Sequence, residues 1–164
     1  MNSVAARLTK DHRELDVLLR CLAQDARAPV PGALQTTWAT FESKMVRHME
    51  AEERFLLPLL EASDAAEVAR IRAEHAQIRD AISQLGVAVE LHTVREANVR
   101  ELIELVYAHG KHEDAALYQL AGDKASAAVE HGIAQMLRHG VAVAAAAISA
   151  SGAEQEVQGR RARP

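Results

Sequence analysis

Four stretches of this chain repeat apolar residues at steps of three and four, and inside each apolar stripe sit imidazole or carboxylate side chains. Steps of three and four mark a helix face turned toward a core. Residues 3–25 present Leu8, His12, Leu15, Leu19 and Leu22. Residues 33–61 present Trp38, Phe41, Met45, His48, Glu52 and Phe55. Residues 64–91 present Val68, Ile71, His75, Ile78 and Ile82, and residues 94–120 present Val99, Leu102, Val106, His109 and Glu113. Short breaks rich in turn and cap residues separate the stretches, so successive helices should be antiparallel neighbours. The expected fold is all-α: an antiparallel up-down-up-down four-helix bundle. Ser63, Thr93 and Asp123 are the expected N-caps, and Pro58 should kink or end the second helix.

A fifth helical segment, about residues 124–149, is weakly amphipathic through Val129, Ile133 and Leu137. It is expected to pack across the bundle or to make a homodimer contact. Residues 1–150 then form one domain, and residues 151–164, which lack an apolar period, form a tail.

The six polar residues in the stripes are His12, His48, Glu52, His75, His109 and Glu113. A buried ionised carboxylate is expensive unless it is paired or bound to a metal. In an antiparallel pair, two residues share a depth when the midpoint of their numbers falls in the connecting loop. His12 and His48 meet at position 30, between two prolines, and Glu52 and His75 meet between Ser63 and Asp64. His75 shares midpoints with His109 at His92 and with Glu113 at Val94. All six therefore fall within about one helical turn of a common level.

Four imidazoles and two carboxylates are too many for one tetrahedral zinc. Two bridging carboxylates between two six-coordinate metals use the set well. With an oxo or hydroxo bridge, about ten of twelve positions fill and about two stay open, an N/O ligand set that suits two iron ions.

Composition removes other classes. Net charge is −4 and aromatic residues make up 3%, which argues against nucleic acid as a partner. The single cysteine, Cys21, excludes an internal disulfide, and a small buried role is expected for it. The first residues reach charges before any apolar run, and the most apolar stretch, residues 141–150, is too short to span a bilayer. No membrane partner is expected, and the expected compartment is the cytoplasm.

The stretches Lys10-Asp11-His12, His48-Met49-Glu50-Ala51-Glu52, Glu74-His75 and His109-Gly110-Lys111-His112-Glu113-Asp114 resemble the hemerythrin-like, or HHE cation-binding, family over about residues 8–120. The resemblance implies a four-helix bundle around a non-heme di-iron centre. It implies binding of, or reaction with, oxygen, nitric oxide or peroxide, or the sensing and handling of iron. The alternative is a di-iron enzyme for peroxide or nitric-oxide detoxification or for iron–sulfur cluster repair. The ligand pattern is similar to that of bacterial repair-of-iron-centres proteins. Oxygen-carrying members place a histidine four residues after the one at His75, where this chain has Arg79, so reversible oxygen carriage is not expected.

Several neighbours stay open as ligands. Asp114 has the spacing used by oxygen carriers, but it turns off the stripe by about 100°, so Glu113 is preferred. His112, Glu74 and Tyr118 could also reach the site. Arg79 is read as pairing with a carboxylate such as Glu74 or as solvated, and Glu50 and Glu53 are read as solvated charges. His92, His131 and His139 are read as surface or packing residues.

Overall fold

The computed structural model describes residues 3–27 and 32–138. The break expected at residues 28–31, the last part of the expected fifth segment at residues 139–149, and the expected tail at residues 151–164 lie outside the described residues. Every regular element described is helical: α1 (Ser3–Arg27), α2 (Ala33–Phe55), α3 (Leu57–Leu60), α4 (Ala65–Glu90), α5 (Glu96–Lys124) and α6 (residues 127–138). Helix α1 packs on α2 and α5, and α4 packs on the same two.

Local chemistry sets the ends of these helices. Proline 58 lacks an N–H and sits in the first turn of α3, so the chain breaks at Leu56 and restarts. Asp64, one residue after the expected cap, starts α4 by accepting from the Glu67 N–H at 3.0 Å. Helix α5 starts at Arg95 without a side-chain cap, so Thr93 does not play that role. The expected break at residues 121–123 is absent, because α5 runs to Lys124 and the chain leaves the helix at Ala125. Ser126 then caps α6 by accepting from the Val129 N–H at 3.4 Å. His92 takes a left-handed conformation, φ 55°, just past α4, and the Thr93 N–H beside it closes onto the Ala88 carbonyl at 2.8 Å.

The buried apolar residues form two separate layers. One joins Leu15, Leu19 and Leu22 of α1 to Trp38, Phe41 and Met45 of α2, Ile78 to Val89 of α4 and Val99 to Val106 of α5. The other joins Val4, Leu8, Leu56, Leu57, Leu60, Val68, Ile71, Leu117 and Ile133. Each such side chain contributes about 1.5–3 kcal/mol when fully buried. Helix α6 covers the second layer with Ile133, and Gly132 packs so close that a Cβ there would stand 2.5 Å from the Phe55 ring. On α1, α4 and α5 the imidazole and carboxylate positions fall between the two layers, and on α2 they lie near its C-terminal end, around Met49 of the first layer and before Leu56 of the second. Trp38 is a core residue as expected, whereas Cys21 is exposed rather than buried.

Candidate metal centre

Helical spacing delivers the six stripe residues to one place. His48 and Glu52 on α2, and His109 and Glu113 on α5, are four residues apart and project from the same face. His12 arrives from α1 and His75 from α4. The donor atoms gather into two groups: His12, His48, Glu52 and Glu113, and Glu52, His75, His109 and Glu113. Within each group they lie no more than 4.8 Å apart, and Glu52 and Glu113 belong to both. All four histidines turn Nε2 inward. His12 Nε2 is 3.3 Å and His48 Nε2 3.8 Å from Glu113 Oε2, while His75 Nε2 and His109 Nε2 are 3.3 and 3.1 Å from Glu113 Oε1.

Three of the rings are held from behind. His48 Nδ1 donates to Asp11 Oδ2 at 3.0 Å, and Lys44 pairs with the same carboxylate. His75 Nδ1 donates to Glu53 Oε1 at 2.8 Å, and the Arg79 guanidinium grips Glu53 with two hydrogen bonds of 2.8 and 2.9 Å. His109 Nδ1 donates to Glu74 Oε2 at 2.9 Å. A carboxylate behind an imidazole fixes its tautomer and aims the opposite nitrogen. Neither Asp11 nor Glu53 was foreseen in this role.

A phenol completes the cluster. The Tyr118 hydroxyl donates to Glu52 Oε1 at 2.6 Å and lies 3.3 Å from Glu113 Oε2. Burial, reinforced by the charges of Glu52 and Glu113, pushes its pKa well above the usual tyrosine value, so it stays protonated.

The electrostatics follow from packing four imidazoles onto two buried carboxylates. Burial alone would raise the Glu113 pKa, but the imidazoles of His109, His12, His48 and His75 crowded against it hold it well below the usual range. Burial would lower the His48 pKa, but the Glu52 charge and Asp11 carry it well above normal. His75 behaves alike: Glu113 and Glu52 outweigh burial and bring it to about 9.

Metal ions fit this donor set. Glu52 Oε2 and His109 Nε2 are buried and make no hydrogen bond among the described residues, although His75 Nε2 stands 3.4 Å from the first and Glu113 Oε1 3.1 Å from the second. Buried polar atoms that face one another without bonding are what a cation between them would satisfy. Two buried carboxylates and four imidazoles, three of them buried, supply both the charge and the lone pairs.

The family model for the hemerythrin HHE cation-binding domain matches residues 3–121. The chain belongs to the hemerythrin HHE family. Neither the curated proteins nor the solved structures yielded a match. The hemerythrin match spans the four long helices almost to the end of α5, and so covers every residue of the cluster. No helix among the described residues is long and apolar enough to cross a membrane.

Within this hemerythrin domain the remaining candidates stand as follows. His112 turns away from the cluster, with Nδ1 2.8 Å from Glu74 and Nε2 2.5 Å from Glu67. Asp114 is exposed, and its Oδ1 lies 3.8 Å from the outer nitrogen of His12. Glu74 and Glu53 sit behind histidines rather than among the inward donors. Arg79 pairs with Glu53, not with Glu74. His92 and His131 are exposed, and His139 lies outside the described residues.

Proposed function

We propose that this protein is a non-heme di-iron protein, in which His12, His48, Glu52 and Glu113 would hold one iron and Glu52, His75, His109 and Glu113 the other. The observation that carries this reading is that two donor groups of four residues share the same two carboxylates. The antiparallel up-down-up-down course of α1, α2, α4 and α5 belongs to the same reading. It is supported by contacts whose numbers run in opposite directions, Asp25 with Thr37 and then Asp11 with His48, Arg27 with Glu96 and then Thr9 with Asp114.

An iron pair bound there, with about two coordination positions open, would supply ligand binding and redox chemistry toward oxygen, nitric oxide or peroxide. The chain's own residues do the rest. Asp11, Glu53 and Glu74 keep three imidazoles aimed. The Tyr118 hydroxyl holds a proton at the edge of Glu52, where a reduced oxygen species needs one. That proton favours the second reading, turnover of peroxide or nitric oxide, over reversible oxygen carriage. Arg79 supports the same preference, since position 79 supplies a cation to Glu53 and no imidazole to the cluster.

Protein made in iron-rich medium should contain two irons per chain and absorb in the near ultraviolet through charge transfer. His75→Ala and His109→Ala should lower the iron content, and His131→Ala should leave it unchanged. One tightly held metal, zinc alone, or full iron in both of the first two variants would overturn the assignment.

A further inference from the structure

One joint in the cluster differs from the rest. Asp11, Glu53 and Glu74 each neighbour a stripe donor in sequence, and each reaches the imidazole of the next long helix at 3.0, 2.8 and 2.9 Å. Applied once more, the same pattern pairs Asp114, next to Glu113 on α5, with His12 on α1, and would close a ring around the bundle. That joint is open. Asp114 Oδ1 stays 3.8 Å from His12 Nδ1 and accepts from the Thr9 hydroxyl at 3.3 Å. His12 Nδ1 makes no hydrogen bond among the described residues.

Three further observations fall on the His12 ring. The His12 side chain is 15% exposed, whereas the other five donors are 0–2% exposed. A cavity of about 330 Å³ lies between α1 and α5, lined by Thr9, His12, Leu15, Tyr107, Gly110 and Asp114 among others. Glycine weakens a helix interior, yet Gly110 sits inside α5 beside His109. A Cβ there would lie 3.4 Å from His12 Nδ1 and 3.5 Å from Cε1. The missing side chain leaves the His12 ring room to move.

We propose that this cavity is the port through which a divalent cation, ferrous iron in the reading above, reaches and leaves the cluster, with His12 as a swinging gate. The three anchored rings lose a hydrogen bond from Nδ1 to a carboxylate if they rotate, whereas His12 has none at Nδ1 and gives up contacts of Nε2 alone, with His48 at 2.9 Å, Tyr118 at 3.0 Å and Glu113 at 3.3 Å. Its ring turns into the cavity beside Gly110 and opens the space between Glu113 and the outside. Asp114, 47% exposed at the same wall, offers an arriving cation its first carboxylate. This inference rests on the metal reading and concerns rates of loading, not the ligands that hold the metal.

The test follows ferrous iron uptake by metal-free protein under anaerobic conditions, and its release to a colorimetric chelator. Gly110→Val places branched carbon against the His12 ring. It should slow uptake and release together by about tenfold or more, the effect of a modest added barrier, while final stoichiometry stays that of the parent. Lys111→Cys in a Cys21→Ser background allows the cavity mouth to be blocked by a bulky disulfide-linked thiol. Blocking should slow both rates, and reductant should restore them. If Gly110→Val does not fold, this reversible block decides alone. Gln84→Phe, in the separate cavity between α4 and α5, should leave both rates unchanged. Two irons bound at rates insensitive to the block would overturn the port and leave the metal reading standing. A parent protein that takes up no iron would overturn both.

Discussion

The Tyr118 hydroxyl donates to Glu52 Oε1 at 2.6 Å and stands 3.0 Å from His12 Nε2, so one phenol from the end of α5 touches donors from α1 and α2. It is the buried tyrosine of the two in the chain, Tyr107 being exposed. Tyr118→Phe keeps the ring and removes the proton. The variant should hold as much iron as the parent and react with peroxide more slowly by about a hundredfold, the low end of what a positioned proton donor supplies. Stopped-flow mixing of reduced protein with peroxide measures this, and an unchanged rate would remove Tyr118 from the chemistry.

Asp11, Glu53 and Glu74 give a second expectation. Asp11→Asn, Glu53→Gln and Glu74→Gln leave every inward donor in place and weaken the grip behind one ring. Each should lower metal affinity by about 10–100-fold, read by competition with a chelator of known strength. Glu50→Gln, at an exposed position on α2, should not. Equal affinities across all four would mean that the rings need no support.

The pH dependence has opposite signs in the two forms of the protein. Burial acts to lower the His75 pKa, and the Glu113 and Glu52 carboxylates outweigh it, raising it from 6.5 to about 9. A raised pKa stabilises the fold fully below the unfolded value and loses that contribution as pH rises through the folded one. Metal-free protein should therefore lose thermal stability between about pH 6.5 and about pH 9. Metal binding needs neutral imidazoles, so affinity should rise over the same interval as protons stop competing. Thermal melts of both forms across this range check the two signs, and parallel trends would contradict them.

Arg79 gives a further expectation. Its guanidinium is tied to Glu53, so reduced protein exposed to oxygen should oxidise without any colour that reverses on degassing. Arg79→His removes the two hydrogen bonds to Glu53 and puts an imidazole one turn from His75. Oxidation should slow if that ring reaches the cluster. A reversible colour in the unmodified protein would show that an imidazole at position 79 is not needed for carriage.

The six inward residues were legible in the sequence because burial and helical period act together: a polar residue on an apolar stripe is pointed at the core by the same geometry as its neighbours. Glu53 was misread as solvated for a related reason. Asp11, Glu53 and Glu74 each sit one residue from a stripe donor, turned by about 100°, and a helix read alone gives that position to solvent. Only the neighbouring helix shows that an imidazole waits there. Tyr118 stayed open as a ligand, since nothing in α5 alone reveals that its hydroxyl meets Glu52. A local turn signal also failed: α5 passes through Gly122 and Asp123, a pair that reads as a turn, and ends at Lys124.

The separation of the apolar residues into two layers has a bearing on cooperativity. The layers are joined across a seam of imidazoles and carboxylates whose mutual attraction depends on what lies between them, whereas the layers respond mainly to temperature and denaturant. With cations in the seam, the two halves should melt together in a single calorimetric transition. With a chelator present, the half built on Trp38 and Phe41 and the half built on Leu56 and Ile133 can come apart separately, and the transition should broaden or divide. Such a chain reports its metal content as the number of units in which it unfolds.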